Sequence, residues 1–229
     1  MPPFSHIMRF NVGAVIVCAG KGIRLRETDK AILNLGIKPL FWHSVNIFNG
    51  IKEIKQIVLV LNRRNFRLAN KVINKKRVLL VEGGKRRKDS VFNGLSVLKK
   101  DISHVLIHDG ARPFVSKLTV LNVIKALKRQ EAVICGIKSP DTLKLVGGGF
   151  VKKTLDRKNI FFAQTPQGFE KDLILSAYKK FKKINFTDEA QIIELMGRRV
   201  KVIESDSRNF KITYPGDILL AKALVSYKR

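Results

Sequence analysis

The chain has 229 residues and carries 45 lysine and arginine residues against 18 aspartate and glutamate residues, so its formal net charge is +27. Hydrophobic residues make up 45% of the sequence, which is enough for a substantial core and excludes intrinsic disorder as the main description. No apolar run approaches the about 20 residues of a membrane-spanning helix. The two cysteines are too few for a disulfide framework, which favours a reducing, cytoplasmic location.

Short apolar runs rich in β-branched residues alternate with segments of helical spacing. The runs predict strands at residues 14–18, 57–61, 78–81, 104–108, 132–137 and 200–203. The helical segments are residues 39–48, 89–99, 117–129, 171–181, 188–196 and 215–226. This alternation favours βαβ units and a mainly parallel sheet, where ligands bind beyond the carboxyl ends of the strands. We therefore expect one domain over residues 1–229, with its functional residues in the loops that follow strands.

The first strand runs into a loop that reads Cys-Ala-Gly-Lys-Gly-Ile-Arg-Leu over residues 18–25. Backbone N–H groups of such loops cradle phosphates. The loop is not a P-loop, because the Gly-Lys-Ser/Thr ending is absent, and Leu25 replaces the third glycine of a dinucleotide fingerprint. Four basic residues could neutralise a polyphosphate here: Lys21, Arg24, Arg26 and Lys30. The alternative is a structural turn with incidental surface charge.

Two later strand ends also carry polar residues. Gly83 and Gly84 permit a sharp turn against a ligand, and either Asp89 or Ser90 could cap the helix that follows. The next strand ends in His-Asp-Gly-Ala-Arg-Pro over residues 108–113. Its aspartate and arginine could hold a ribose, a metal-bound phosphate or each other. The histidines and cysteines lack the spacing of zinc ligands, so a zinc site is not expected.

Residues 141–156 interrupt the alternation with two short, partly alternating segments around three consecutive glycines. This pattern predicts a β-hairpin inserted into the α/β core. Because an isolated hairpin is marginally stable in water, we expect it to pack on something else, for which a second subunit is the reasonable candidate.

Seven short motifs follow one another in a characteristic order. They lie at residues 19–24, 83–91, 108–113, 154–157, 164–169, 187–190 and 209–213. As a set, over residues 12–227, they resemble the 2-C-methyl-D-erythritol 4-phosphate cytidylyltransferase family. The resemblance implies a Rossmann-like nucleotidyltransferase fold of the GT-A-like type, with a mainly parallel sheet, helices on both faces and a β-hairpin dimerisation arm at about residues 139–158.

The activity that this resemblance implies is the transfer of CMP from CTP to 2-C-methyl-D-erythritol 4-phosphate, with Mg²⁺ and release of pyrophosphate, in isoprenoid precursor biosynthesis. The nucleophile is a phosphate oxygen, and a phosphate monoester with a second pKa of about 6 is already ionised at neutral pH. No general base is then required. The reaction needs cations around two anions, which the basic loops supply.

The resemblance also implies roles for individual residues. Arg24 and Lys30 look like the pair that stabilises the α-phosphate, although Asp29 and Ala31 flank this lysine where the family usually has proline and glutamine. Arg157 and Lys211 look like the pair that positions the incoming phosphate, with Arg157 contributed by the partner of a homodimer. The nucleotide contacts would be Cys18, Ala19, Gly20, Gly22, Gly83, Gly84, Ser90, Asp109, Gly110 and Arg112. The acceptor contacts would be Asp109, Arg112, Thr142, Arg157, Thr165, Thr187 and Lys211. Asp109 is the candidate metal ligand, with Mg²⁺ held mainly by the triphosphate.

Two other functions remain open. A cytidylyltransferase acting on ribitol 5-phosphate would share the fold and the chemistry. A basic nucleic-acid-binding module would explain the net charge of +27, but the chain lacks a zinc finger and a ribonucleoprotein aromatic motif. We therefore do not expect nucleic acid or a membrane as a partner.

Overall fold

The computed structural model describes residues 10–20, 30–73 and 76–227. The strands are β1 (Val12–Val17), β2 (Asn34–Leu35), β3 (Lys38–Pro39), β4 (Ile54–Leu61), β5 (Val78–Glu82), β6 (His104–Asp109), β7 (Ala132–Lys138), β8 (Leu143–Gly147), β9 (Phe150–Leu155), β10 (Phe161–Glu170) and β11 (Lys201–Glu204). The helices are α1 (Leu40–Asn49), α2 (Phe66–Val72), α3 (Arg87–Ser96), α4 (Lys117–Leu127), α5 (Lys171–Lys180), α6 (Glu189–Glu194) and α7 (Pro215–Tyr227).

Seven strands form the central sheet, in the order β11-β7-β10-β6-β1-β4-β5. Strand β10 is antiparallel to both of its neighbours, β6 and β7, whereas the other pairs are parallel. All six strands predicted from the apolar runs belong to this sheet, so the prediction of a mainly parallel sheet is confirmed. The tenth strand was not predicted, because its buried residues include Gln164, Thr165 and Gln167 and do not form an apolar run.

Both faces of the sheet are covered by helices. Successive residues of a strand point to opposite faces, and in β1 Ala14 and Ile16 pack in the cluster with α1 and α4, while Val15 packs with α3, α5 and α6. Burial on both faces is typical of parallel sheets and explains the continuous apolar runs of β1 and β4. Helices on both faces were expected and are confirmed.

Strands β8 and β9 pair as an antiparallel hairpin separate from the main sheet, as predicted. The turn contains Gly148 and Gly149, whose φ values of +63° and +84° favour glycine. Apolar side chains of the hairpin face solvent, among them Phe150, which is 80% exposed. We call residues 143–155 the arm. Its role in dimerisation, and the organisation of residues 1–229 as one domain, stay predictions.

No helix among the described residues combines the length and the apolar character needed to cross a bilayer.

Candidate active site

A cleft of about 660 Å³ opens where β1, β4 and β6 end. It is lined by Val17, Cys18, Ala19, Gly20, Ala31, Leu40, Asn62, Gly84, Lys85, Arg86, Arg87, Ser90, Asp109, Gly110, Ala111 and Lys211. The position agrees with the rule that ligands bind at the carboxyl ends of parallel strands. Among the lining residues that the structure describes, four are basic and one, Asp109, is acidic. This balance favours an anionic ligand.

The loops around the cleft are packed so closely that a Cβ atom would not fit at Gly83 or Gly110. A Cβ added to Gly110 would lie 1.9 Å from Sγ of Cys18, and one added to Gly83 would lie 2.1 Å from Cβ of Ala19. Real Cβ atoms do not approach other atoms so closely. These two glycines therefore allow neighbouring loops to meet at the floor and wall of the cleft.

The second glycine loop is tied to the start of α3 by side-chain hydrogen bonds. Ser90 Oγ accepts a hydrogen bond from the backbone N–H of Gly84 at 3.0 Å and donates one to the carbonyl of Arg86 at 3.2 Å. The Asp89 carboxylate accepts from the backbone N–H of Arg86 at 3.1 Å. Of the two capping candidates, Asp89 takes part as the third residue of the helix, accepting from the backbone of the N-cap residue Arg86, whereas Ser90 orders the loop from a position at the cleft wall.

Asp109, at the end of β6, is the centre of a charged cluster. Its Oδ1 accepts from Nε of Arg87 at 2.9 Å, its Oδ2 accepts from Nζ of Lys211 at 2.6 Å, and its backbone N–H donates to Oγ1 of Thr165 at 3.0 Å. Burial by itself would raise the pKa of Asp109, but the charges of Arg87 and Lys211 outweigh burial and hold this pKa well below its usual value. Asp109 is therefore an anion throughout the neutral pH range.

Arg87 also contacts a second carboxylate. Its Nη1 donates to both oxygens of Glu189, at 2.8 and 3.0 Å, and the Tyr178 hydroxyl donates to Oε1 of Glu189 at 2.9 Å. Neither Arg87 nor Glu189 was among the predicted site residues. Both lie inside quoted motifs, at residues 83–91 and 187–190, so their position in the motifs was the one available signal.

A layer of hydrogen bonds lies behind Asp109. His108 is fully buried; its Nε2 donates to the carbonyl of Arg112 at 3.2 Å, and its Nδ1 accepts from the Thr165 hydroxyl at 3.0 Å. This tautomer follows from the network, because the Arg112 carbonyl can only accept. Burial lowers the pKa of His108 to about 4, so it is neutral at pH 7. Nη1 of Arg112 donates to the carbonyl of Asn209 at 2.7 Å, which holds this side chain behind the cleft.

The predicted residues thus separate into groups. The cleft wall contains Cys18, Ala19, Gly20, Gly84, Ser90, Asp109, Gly110 and Lys211. Gly83, Arg112 and Thr165 support that wall from behind. Thr142, Arg157 and Thr187 do not line the cleft of their own chain. The backbone N–H of Thr187 donates to the side chain of Gln191 at 2.9 Å, next to Asp188, which is the N-cap of α6. Gly22, Arg24 and the side chain of Lys30 lie outside the described residues.

The donor set of the cleft fits Mg²⁺ bound together with a phosphorylated ligand. Among residues 10–20, 30–73 and 76–227, no three His, Cys, Asp or Glu residues form a group that could hold a metal by themselves. Mg²⁺ usually binds one or two carboxylates together with substrate phosphates. Each oxygen of Asp109 accepts one hydrogen bond and retains a second lone pair, so this carboxylate can also face a metal.

Comparison with known proteins places the same fold and sequence in one enzyme family. A family model described as 2-C-methyl-D-erythritol 4-phosphate cytidylyltransferase matches residues 12–227. The enzyme of that name from Caldanaerobacter subterraneus subsp. tengcongensis is 38% identical over 221 residues, covering 93% of this chain and 97% of the relative. That from Clostridium novyi is 39% identical over 221 residues, covering 93% of this chain and 95% of the relative.

Solved structures of these enzymes share the fold. The 4-diphosphocytidyl-2C-methyl-D-erythritol synthase of Anaerococcus prevotii matches with a TM-score of 0.86 and 32% identity, covering 95% of this chain and 96% of that one. The 2-C-methyl-D-erythritol 4-phosphate cytidylyltransferase of Thermus thermophilus matches with a TM-score of 0.79 and 29% identity, covering 95% of this chain and all of the other.

Proposed function

This chain belongs to the 2-C-methyl-D-erythritol 4-phosphate cytidylyltransferase family, and we propose that the basic cleft around Asp109 is its active site. The enzyme transfers CMP from CTP to 2-C-methyl-D-erythritol 4-phosphate, a step of isoprenoid precursor biosynthesis. One observation supports this assignment above the others: Lys211 is hydrogen-bonded to Asp109 at the carboxyl end of the sheet, in a cleft lined by basic residues.

The reaction forms a bond between a phosphate oxygen of the acceptor and the α-phosphorus of CTP, and it breaks the bond from that phosphorus to the β-phosphate bridging oxygen. Pyrophosphate leaves with the electron pair. No proton has to be removed, because the acceptor phosphate is already ionised near neutral pH. The neutral, fully buried His108 is therefore not needed as a base. Rate acceleration comes from alignment and from cations placed around the developing charge.

We assign the nucleotide to the wall made by the two glycine loops. Residues 18–20, Gly22, Gly83, Gly84 and Gly110 would contact the phosphates and the base by close approach of their backbone, with Ser90 beside them. The N–H groups of Cys18, Gly83, Gly84 and Gly110 donate to oxygens of the protein, so these four residues would contact the ligand in other ways. Arg24 and Lys30 would stabilise the α-phosphate. The Lys211 side chain is 41% exposed at the cleft, so its ammonium can contact an incoming phosphate while it stays close to Asp109. Thr142, Thr165, Thr187, Arg112 and Asp109 complete the proposed acceptor and ribose contacts.

A divalent cation, for which we propose Mg²⁺, would be held by the triphosphate and by Asp109, and it would neutralise phosphate charge during the transfer.

The arm suggests how a second subunit completes the site. Arg157 lies two residues after the end of the arm and does not line the cleft of its own chain. The apolar side chains of the arm, Val146, Phe150 and Val151, are exposed in the single chain. We propose a homodimer in which the arm packs on the partner and brings Arg157 to the partner's cleft. A cytoplasmic location is also proposed, since both cysteines are buried thiols.

Pyrophosphate release tests the proposal directly. The purified protein is incubated with CTP and Mg²⁺, together with 2-C-methyl-D-erythritol 4-phosphate, ribitol 5-phosphate or no acceptor. Release that depends on the first acceptor supports the proposed site and its chemistry. Pyrophosphate release with ribitol 5-phosphate alone would mean that the enzyme uses the same mechanism with ribitol 5-phosphate as its acceptor. Absence of release with every acceptor, combined with salt-sensitive binding of DNA or RNA, would support the nucleic-acid alternative instead.

A further inference from the structure

Glu189 is a fully buried acidic residue that does not line the cleft, so any role in the reaction must be indirect. Its side chain is 0% exposed, and both of its oxygens are hydrogen-bonded, to Arg87 and Tyr178. Burying an ion pair is unfavourable because both ions lose their hydration, and apolar residues of similar volume often stabilise a fold equally well. Protein stability is therefore a weak explanation for a carboxylate at this position. The contact of Glu189 with Arg87, which lines the cleft, explains it better.

The residues on both sides of Glu189 are hydrogen-bonded to the central sheet, Asp188 through its side chain and Ala190 through its backbone. Gln167 of β10 donates from Nε2 to the carboxylate of Asp188 at 2.8 Å and accepts, on Oε1, from the backbone N–H of Ala190 at 3.3 Å. Gln167 is itself 1% exposed. One glutamine therefore holds the residues before and after Glu189, so the position of this carboxylate is determined by the sheet.

From Glu189 a row of alternating charges leads into the cleft. Arg87 contacts Glu189 through Nη1 and Asp109 through Nε, and Asp109 contacts Lys211 through its other oxygen. A guanidinium group is planar, so fixing its Nη1 edge on Glu189 determines where Nε points. In this arrangement Arg87 occupies only Oδ1 of Asp109, and Oδ2 is left to accept from Lys211.

We propose that Glu189 is a positioning residue for cytidylyl transfer: by anchoring Arg87 it orients the carboxylate of Asp109, which in turn holds the Lys211 ammonium at the mouth of the cleft. This inference rests on the proposed function of Lys211 in binding the acceptor phosphate. Without the charge of Glu189, Arg87 can turn two N–H groups toward Asp109 and bind both of its oxygens, as paired guanidinium and carboxylate groups tend to do. Lys211 would then lose its fixed partner.

The kinetic test compares Glu189→Gln with Glu194→Gln, a control that neutralises an exposed glutamate on the same helix. We expect Glu189→Gln to lower kcat/KM for methylerythritol phosphate about 10- to 100-fold, as losses of supporting contacts around a site typically do. The KM for CTP should rise by a smaller factor, because Asp109 is a proposed nucleotide contact in this row of charges whereas the two glycine loops are not part of it. Glu194→Gln should behave as the unsubstituted enzyme. An equal loss of affinity for both substrates would contradict the proposal.

A double-mutant cycle distinguishes positioning from a general structural role. If Glu189 acts through Lys211, Glu189→Gln should cost less than about threefold in a Lys211→Met background, since residues in one network are not additive. Equal costs with and without Lys211 would overturn the proposal. Tyr178→Phe removes one hydrogen bond from Glu189 but keeps the Arg87 pair, so it should lower the melting temperature with little change in kcat/KM.

A readout that needs no activity is the acetylation rate of Lys211, measured by mass spectrometry after brief treatment with acetic anhydride. Nζ of Lys211 donates to Asp109 and is less available to the reagent there, so Glu189→Gln should speed modification of Lys211, whereas the modification of exposed lysines elsewhere should not change. An unchanged rate would overturn the positioning role. If the unsubstituted protein releases no pyrophosphate but the acetylation rate still rises, the proposed function fails, and what stands is that Glu189 holds Lys211 in place through Arg87 and Asp109.

Discussion

Nζ of Lys211 lies 2.6 Å from Oδ2 of Asp109, although 102 residues separate them in the chain. The contact brings a cation from the segment before α7 to the end of β6, the edge where ligands bind in sheets of this kind. A positive charge at this point attracts a phosphate, and the aspartate prevents it from pairing elsewhere. The predictions below follow from this arrangement and from the packing around it.

Lys211→Met should lower kcat/KM for methylerythritol phosphate by about 10²-fold or more, since a removed cation no longer stabilises charge that develops in the transition state. Lys85→Met is the control, because it removes the same charge from an exposed residue of the same cleft that has no contact with Asp109 among the described residues. The loss of kcat/KM in Lys85→Met should be at least tenfold smaller than in Lys211→Met, which corresponds to a difference of about 1.4 kcal/mol in activation free energy. Comparable losses in the two variants would mean that only the total charge of the cleft matters. Steady-state pyrophosphate release provides the measurement.

Gly110→Ala should destabilise the protein by about 1–3 kcal/mol, because the added methyl group collides with Sγ of Cys18 at 1.9 Å. Removing that sulfur should relieve the collision, so Cys18→Ala combined with Gly110→Ala should recover most of the lost free energy of unfolding. Chemical denaturation measures both variants. Gly20→Ala is the control, since its added Cβ has no atom within 4 Å among the described residues other than its chain neighbours. Failure of the Cys18 substitution to rescue would contradict the packing argument.

His108 should make stability fall as the pH is lowered from about 6.5 toward 4. Burial lowers its pKa to about 4 in the folded protein, whereas the unfolded chain has the ordinary value of 6.5. Between these values the unfolded state binds a proton that the folded state does not, so the free energy of unfolding rises with pH and is fully present only above about 6.5. The change amounts to about 3 kcal/mol.

Urea unfolding of the native protein and of His108→Gln, measured at several pH values from 4.5 to 7.5, checks this expectation. The glutamine can donate to the Arg112 carbonyl but does not titrate, so the variant should show a smaller slope of stability against pH. The slope is the readout because the substitution can also lower stability by a constant amount. Parallel curves for the two proteins would show that His108 does not titrate differently on folding.

Mixed dimers test the proposed origin of Arg157. Arg157→Ala and Lys211→Ala subunits should each be nearly inactive alone. If Arg157 serves the partner's cleft, a random mixture should regain about a quarter of the native activity, because half of the dimers are mixed and each has one intact site. If both residues serve one chain, no activity returns. Pyrophosphate release after co-refolding of the two differently tagged variants decides between these outcomes.

The arm itself can be tested through its most exposed aromatic residue. Phe150→Asp should convert dimers to monomers and abolish activity, since a charge replaces an apolar side chain that is 80% exposed in the single chain and is expected to be buried by the partner. Leu118→Asp is the control, at a residue of α4 that is 67% exposed and lies outside the arm. Sedimentation velocity gives the oligomeric state. A Phe150→Asp variant that stays dimeric would place the interface elsewhere.

The sequence alone determined most of the fold, because hydrophobic periodicity is a local property. The apolar runs at residues 14–18, 57–61 and 104–108 correspond to β1, β4 and β6, and the loops that follow them line the cleft. The hairpin was also predicted, from its glycine turn. Short-range patterns of this kind locate strands, helices and turns without knowledge of what they pack against.

Strand β10 could not be identified in this way. Its buried positions include Gln164, Thr165 and Gln167, which are polar because they hydrogen-bond to Asn209, Asp109 and Asp188. A strand whose side chains satisfy polar partners has no apolar pattern along the chain. The polar side chains that make β10 unrecognisable in the sequence are therefore the same ones that support the site through hydrogen bonds.

Only the tertiary structure decided which charges pair. Arg87 and Glu189 are also 102 residues apart, and nothing in either local sequence specifies the other as its partner. Their contact depends on β6 lying next to β10 in the sheet and on helices α3 and α6 both beginning at that edge. Local sequence determines where a charged residue lies along an element, whereas the packing of elements determines the counterion that orients it and excludes water from the pair.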